Sequence, residues 1–228
     1  MYNEYKKQAL SPDKVLRWLA VAAVPSFLFY AISIAVMRSM DFEIMEILRD
    51  PAQQTGQSSF LGFVSNIGIW LWISSAAIAF FHVVSRSPRV ARNRRELLLL
   101  VGMLSLLLAI DDFFMIHDRY VNQKICYLAY AVLLTLLLLR HHEGIFAIDG
   151  FAFLAAGSML ATSIVLDLGQ RFIPVSYEDL QIVEEGFKFT GAATWLYFCC
   201  RVAQYDISEA TPELRDEQGA TVASLKAD

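Results

Sequence analysis

Residues Leu97–Tyr120 read LLLLVGMLSLLLAIDDFFMIHDRY. The first fourteen residues carry no charge, and Asp111, Asp112, His117 and Asp118 then follow within eight positions. A run this apolar is suited to lipid. Charges inside a membrane-length segment are costly, so they are rare and mark functional sites by default.

The whole chain fits that reading. It has 228 residues, 56% hydrophobic and 18% charged, with a mean hydropathy of +0.45. Such composition, with repeated uncharged runs of about 20 residues, predicts an all-α integral membrane protein. The runs define six spans, at about 16–38, 60–84, 97–117, 121–140, 149–170 and 180–201. Together they make a six-helix transmembrane domain over 15–203, between a polar N-terminal segment (1–14) and a polar, acidic tail (204–228) read as disordered. Pro25 should kink the first span, which neighbouring helices tolerate. Phe42, Ile44, Met45, Ile47 and Leu48 suit a short interfacial helix between the first two spans.

Basic residues set the orientation. With the N-terminus inside, inner segments hold eleven Lys and Arg, among them the five arginines of Arg86–Arg95, and outer segments hold five. Both termini are therefore expected in the cytoplasm, and the protein in the cell membrane as a multi-pass protein. A net charge of −4 offers no basic face for nucleic acid. Three cysteines, Cys126, Cys199 and Cys200, form neither a disulfide framework nor a metal-finger spacing.

This topology gathers the charges. Asp111 lies about 21 Å along its helix from Leu97. The fifth span also runs outward and ends in Asp167, while the sixth enters from outside through Glu184, Glu185 and Lys188. All eight groups, Asp111, Asp112, His117, Asp118, Asp167, Glu184, Glu185 and Lys188, thus fall in the outer half of the bilayer and predict one outward-facing polar cavity. Gln181, Glu184, Glu185 and Lys188 share one helix face, which continues as Gly191, Ala192 and Trp195. Glu184 and Lys188 stand in the favoured i,i+4 order for an ion pair, as do Asp167 and Arg171. Asn66 is a weaker, neutral candidate. His141 and His142 read as a solvated pair at the cytoplasmic boundary. No ionisable residue is expected in the inner half of a span.

On a regular helix, Asp111 and Asp118 are about 20° apart, whereas His117 is about 120° from Asp111 and about 140° from Asp112. Either the helix distorts near Phe113–Phe114, or His117 does a separate job as a structural residue or a proton acceptor. Adjacent carboxylates at that depth repel, so one takes up a proton or both share a cation. A carboxylate-rich set (Asp111, Asp112, Glu184 and Glu185) suits a hard divalent cation such as Mg, Ca or Mn.

Three function classes compete. Acidic clusters select cations and carboxylate–His chains relay protons, which favours a cation or proton channel or transporter; six short spans in a channel would favour a homo-oligomer. The same groups could hold a metal and its activated water in a membrane-embedded hydrolase acting on a lipid or peptide. A non-catalytic scaffold or sensor with structurally paired charges is the third. No GxSxG, HExxH or phosphate-binding glycine loop is present.

Overall fold

The computed structural model describes residues 12–13, 16, 19–85, 92–172 and 174–224, with side chains described up to 204 apart from those of 92 and 171. Most of the N-terminal segment, Arg86 and Arg89 of the loop, the side chain of Arg171 and the side chains of the tail lie outside the described residues. Every regular element among the described residues is a helix. The chain divides into two units, Met1–Leu61 and Gly62–Asp228.

In the first unit a π-helical turn, Leu19–Ala23, leads into α1 (Val24–Ser39). Pro25 is the second residue of α1, two positions after that turn. It has no N–H to return to Val21, so the ladder is broken where the wider turn ends. Two short helices follow, α2 (Ile44–Leu48) and α3 (Pro51–Thr55). Glu43 and Glu46 form a capping box at the start of α2, and the Asp50 carboxylate accepts the Ala52 N–H at 2.8 Å at the start of α3. The interfacial helix predicted here is thus a pair of capped turns.

The second unit contains α4 (Phe63–Ser85), α5 (Arg92–Phe114), a single turn α6 (Ile116–Arg119), α7 (Gln123–Gly169) and α8 (Tyr177–Ser224). Four helical segments are long and apolar enough to cross a membrane: Leu19–Ser39, Phe63–Ser85, Asn93–Phe114 and Gln123–Gly169. The last has 47 residues and would be about 70 Å long if straight, more than twice the hydrocarbon thickness. It is not straight. His141 (φ −121°, ψ 19°) and Asp149 (φ −165°, ψ 74°) leave helical angles, and Asp167 accepts hydrogen bonds at 2.9 Å from both Gln123 and Tyr127. Residues from opposite ends of α7 therefore touch, and its two arms form an antiparallel hairpin. The Asp149 carboxylate accepts the Ala152 N–H at 3.1 Å and so caps the returning arm.

The core lies between α4, α5, the α7 hairpin and α8. Trp72, Leu97, Leu98, Val101, Ile145, Phe153, Trp195, Phe198 and Cys199 are its largest closed-in apolar side chains. Along α5 the inward face runs Leu97, Val101, Leu104, Ala109 and then Asp111, only 3% exposed. The stripe that buries leucine at one end buries a carboxylate at the other. On α8 the same periodicity carries Leu180, Glu184, Ala192, Trp195, Cys199 and Val202 inward. The Trp195 indole N–H donates to Ser105 at 2.8 Å in the middle of this packing. A Cβ on Gly191 would come 2.9 Å from Leu160 Cγ and 3.3 Å from its backbone nitrogen, so glycine is what lets α8 lie this close to the returning arm.

At the end of α5 away from Asp111, the Arg140 guanidinium forks onto the Glu96 carboxylate, Nη2 to Oε2 at 3.1 Å. His141 Nε2 lies 3.9 Å from the same carboxylate, and Arg201 Nε lies 3.6 Å from Asp149. These pairs tie the start of α5 and the middle of α8 to the hairpin bend. The two adjacent histidines therefore divide: His141 is buried against Glu96, while His142 is exposed. Alternation of side-chain direction around the bend separates them. His82, 7% exposed in the last turn of α4, is an ionisable group at this same end, contrary to the expectation that none lies there.

Candidate functional site

All eight charged residues singled out in the sequence line one cavity of about 480 Å³, within the size range of small-molecule sites. Asp111 and Asp112 come from α5, His117 and Asp118 from α6, Asp167 from the returning arm of α7, and Glu184, Glu185 and Lys188 from α8. Six carboxylates thus face one lysine and one histidine.

The distortion that the helical angles demanded is a left-handed residue. Met115 adopts φ 51°, ψ 46° between α5 and α6, a conformation costly for any residue but glycine. The break turns the chain so that His117 comes back over Asp111. One Asp111 oxygen accepts the His117 backbone N–H at 2.9 Å, and the other lies 2.8 Å from His117 Nδ1. Tyr130 lines the cavity with Asp111. On the far side of the ring, Nε2 lies 3.5 Å from an Asp118 oxygen. Asp111 therefore fixes the orientation of His117, and the carboxylate–imidazole–carboxylate series leads from a buried acid to an exposed one.

Met115→Gly is expected to leave stability unchanged or raise it by up to about 1 kcal/mol, because relief of left-handed strain opposes the added freedom of the unfolded chain. Met115→Val should lower it by about 1–3 kcal/mol. Thermal unfolding of the two variants in one detergent reads both.

Lys188 does not pair with Glu184 as the i,i+4 spacing suggested. Its Nζ lies 2.9 Å from Asp112 Oδ1, and the other Asp112 oxygen accepts the Trp72 indole N–H at 3.1 Å. A carboxylate on a facing helix, already oriented by an indole, offers a partner without bending the lysine stem along its own helix. Glu184, 8% exposed, instead accepts from Gln170 at 3.4 Å. Asp167 is held by Gln123, Tyr127 and Gln170 at 2.9, 2.9 and 3.0 Å; the pairing proposed with Arg171 lies outside the described residues. Asn66 is not among the lining residues, and α4 contributes Trp72 in its place.

Trp72, Tyr127, Tyr130, Gln123 and Gln170 are the residues that sequence reasoning missed. Each is an amphipathic or neutral side chain whose spacing is unexceptional on its own helix. Only the opposing carboxylate gives it a role. Among the described residues, Asp111, Asp112 and His117 are also the one group of three His, Cys or acidic side chains whose ligand atoms lie within 4.8 Å of one another. That donor set suits a hard or borderline divalent cation.

Below the charges the cavity wall turns apolar. Leu104, Leu108, Leu134, Leu160 and Trp195 line its deeper part, and Phe153 and Phe198 stack against Trp195 at centroid distances of 5.8 Å. The arrangement can bind and orient a cation or a protonated group at one end of the bundle. No curated protein and no solved structure matches the chain. A family profile described as a domain of unknown function, DUF8692, matches residues 16–202, and the chain belongs to that family.

Proposed function

We propose that this protein is a six-span protein of the cell membrane, with both termini cytoplasmic, that takes up a cation or a proton into an outward-facing acidic cavity and carries it. The two arms of α7 count as separate spans in this reading, and the first part of α8 is the sixth. That part of α8 reaches the bilayer through its packing on α4 and α7, its own apolar run being interrupted by Glu184, Glu185 and Lys188. The observation that carries the reading is the convergence of six carboxylates, from α5, α6, α7 and α8, on one cavity with two basic groups. Such a site is electrostatically incomplete without cations. A carrier fits better than an open pore, because Trp195 and Phe198 beneath the cavity are 1% and 0% exposed.

A second reading is favoured by one observation, the close approach of Asp111, Asp112 and His117. A divalent ion held there would supply an activated water at the wall of a ligand-sized cavity, which is the requirement of a metal-dependent hydrolase.

The test is metal analysis of the purified protein followed by flux in proteoliposomes, with an Asp111→Asn/Glu184→Gln double variant in parallel. Carriage predicts cation-dependent flux in the wild type that the double variant loses. A stoichiometric metal without flux would favour the hydrolase. Identical behaviour of the two proteins in both assays would remove the cavity as the functional centre.

A further inference from the structure

The cavity is much larger than any inorganic cation, and its polarity is graded in the same sense on each of the four helical segments that build most of it. On α5, Asp112 lies near the end and Leu104 about 12 Å deeper; on the first arm of α7, Tyr127 stands about 10 Å above Leu134. On the returning arm Asp167 stands about 10 Å above Leu160, and on α8 Glu184 stands about 16 Å above Trp195. Leu104 sits at the middle of α5, so the apolar end of the cavity reaches mid-span while the acidic end meets the span's terminus. Ala131, Thr135 and Ala161 line the cavity and are exposed as well. Along the α7 hairpin the wall below the charges is thus built partly of short side chains.

A site for a metal ion or a proton alone does not need the apolar depth. The cavity has the dimensions and the order of a lipid-like molecule standing in a leaflet, with its head at the interface and its chain toward the bilayer centre. The acidic end fixes the sign of the head group. We propose, resting on the cation reading above, that the cavity takes a single-chain amphiphile with a cationic amine head. The ammonium group sits among Asp167, Glu184 and Glu185, since Lys188 makes its close ion pair with Asp112, and the chain reaches down to Leu160 and Trp195.

The experiment uses the full chain in lipid nanodiscs with four probes: decylamine, ethylamine, decanoate and magnesium ion. Affinities are measured by titration calorimetry. Decylamine is expected to bind at least about tenfold more tightly than ethylamine, each methylene that enters the apolar depth adding up to about fourfold. Decanoate, with the same chain and opposite charge, should not bind above empty nanodiscs. Leu160→Trp, which fills the depth, should erase the chain-length advantage and leave ethylamine unchanged; an intermediate-chain series on the wild type gives the same reading should that variant not fold. Equal affinity for the two amines, with magnesium or ethylamine still bound, would overturn the amphiphile and leave the cation reading standing. Decanoate binding as well as decylamine would also overturn it. Failure of every cationic probe to bind would overturn the amphiphile together with uptake of any cation other than a proton.

Discussion

Replacing Lys188 by methionine is expected to cost about 3 kcal/mol of stability. This is the low end of the range for breaking a buried ion pair, because the Lys188 side chain keeps 31% exposure against 12% for Asp112. Methionine keeps the length of the stem and removes the charge, so the loss falls on the partner. Asp112 would retain only the Trp72 N–H among carboxylates that repel it. The partner identifies itself in double variants. Lys188→Met/Asp112→Asn should recover most of the loss, since the asparagine oxygen still accepts from Trp72 and no charge is stranded. Lys188→Met/Glu184→Gln should recover little. The reverse pattern in chemical or thermal unfolding would restore the pairing along α8 that the sequence spacing suggested.

Asp111 is the second position of large effect, and two substitutions separate its roles. Asp111→Ala removes the acceptor for the His117 backbone N–H and the His117 ring. Bonds to an ionised acceptor contribute about 1.5–3 kcal/mol each and are not additive, so a loss of about 2–4 kcal/mol is expected, with release of the turn at Met115. Asp111→Asn keeps one oxygen for the backbone N–H. It should insert and fold with a much smaller loss, yet weaken cation binding by at least about tenfold, about 1.4 kcal/mol. Unfolding and binding measured on the same two preparations separate the effects. Full cation binding by the asparagine variant would show that the cavity works without that charge.

The sequence also sets apart what is local from what is not. Membrane-length helices follow from residue runs alone: α4 and α5 fall where the apolar segments are, because a backbone in hydrocarbon must satisfy its own hydrogen bonds and the helix does so within one segment. The gathering of the eight charged residues is legible too. Antiparallel succession of the helices fixes which ends of α5, α7 and α8 lie together, and the middle of each long apolar run is free of charge. The angular calculation on α5 even stated the conflict between Asp111 and His117, since helical geometry is a property of spacing.

Partner choice was beyond it. Spacing on α8 pairs Lys188 with Glu184, and tertiary packing gives it to Asp112 because α5 and Trp72 bring an oriented carboxylate within 2.9 Å. Nothing in the letters around Met115 announces a left-handed turn; glycine would have, and methionine is held there by the bonds that Asp111 makes to His117. The two histidines at 141 and 142 look alike in sequence, and the bend of α7 buries one against Glu96. The sequence by itself determined an all-helical chain with segments long and apolar enough to cross a membrane and the end at which the eight cavity residues collect, because helix formation and the cost of charge in lipid act over a few neighbouring residues. Only the tertiary structure decided which charge meets which, where the helix breaks and how deep the apolar part of the cavity runs. The pairings and the depth depend on side chains 40 or more positions apart in sequence, as Trp72 is from Asp112 and Asp167 from Tyr127, and the break on two residues, Asp111 and His117, that a regular helix would keep apart.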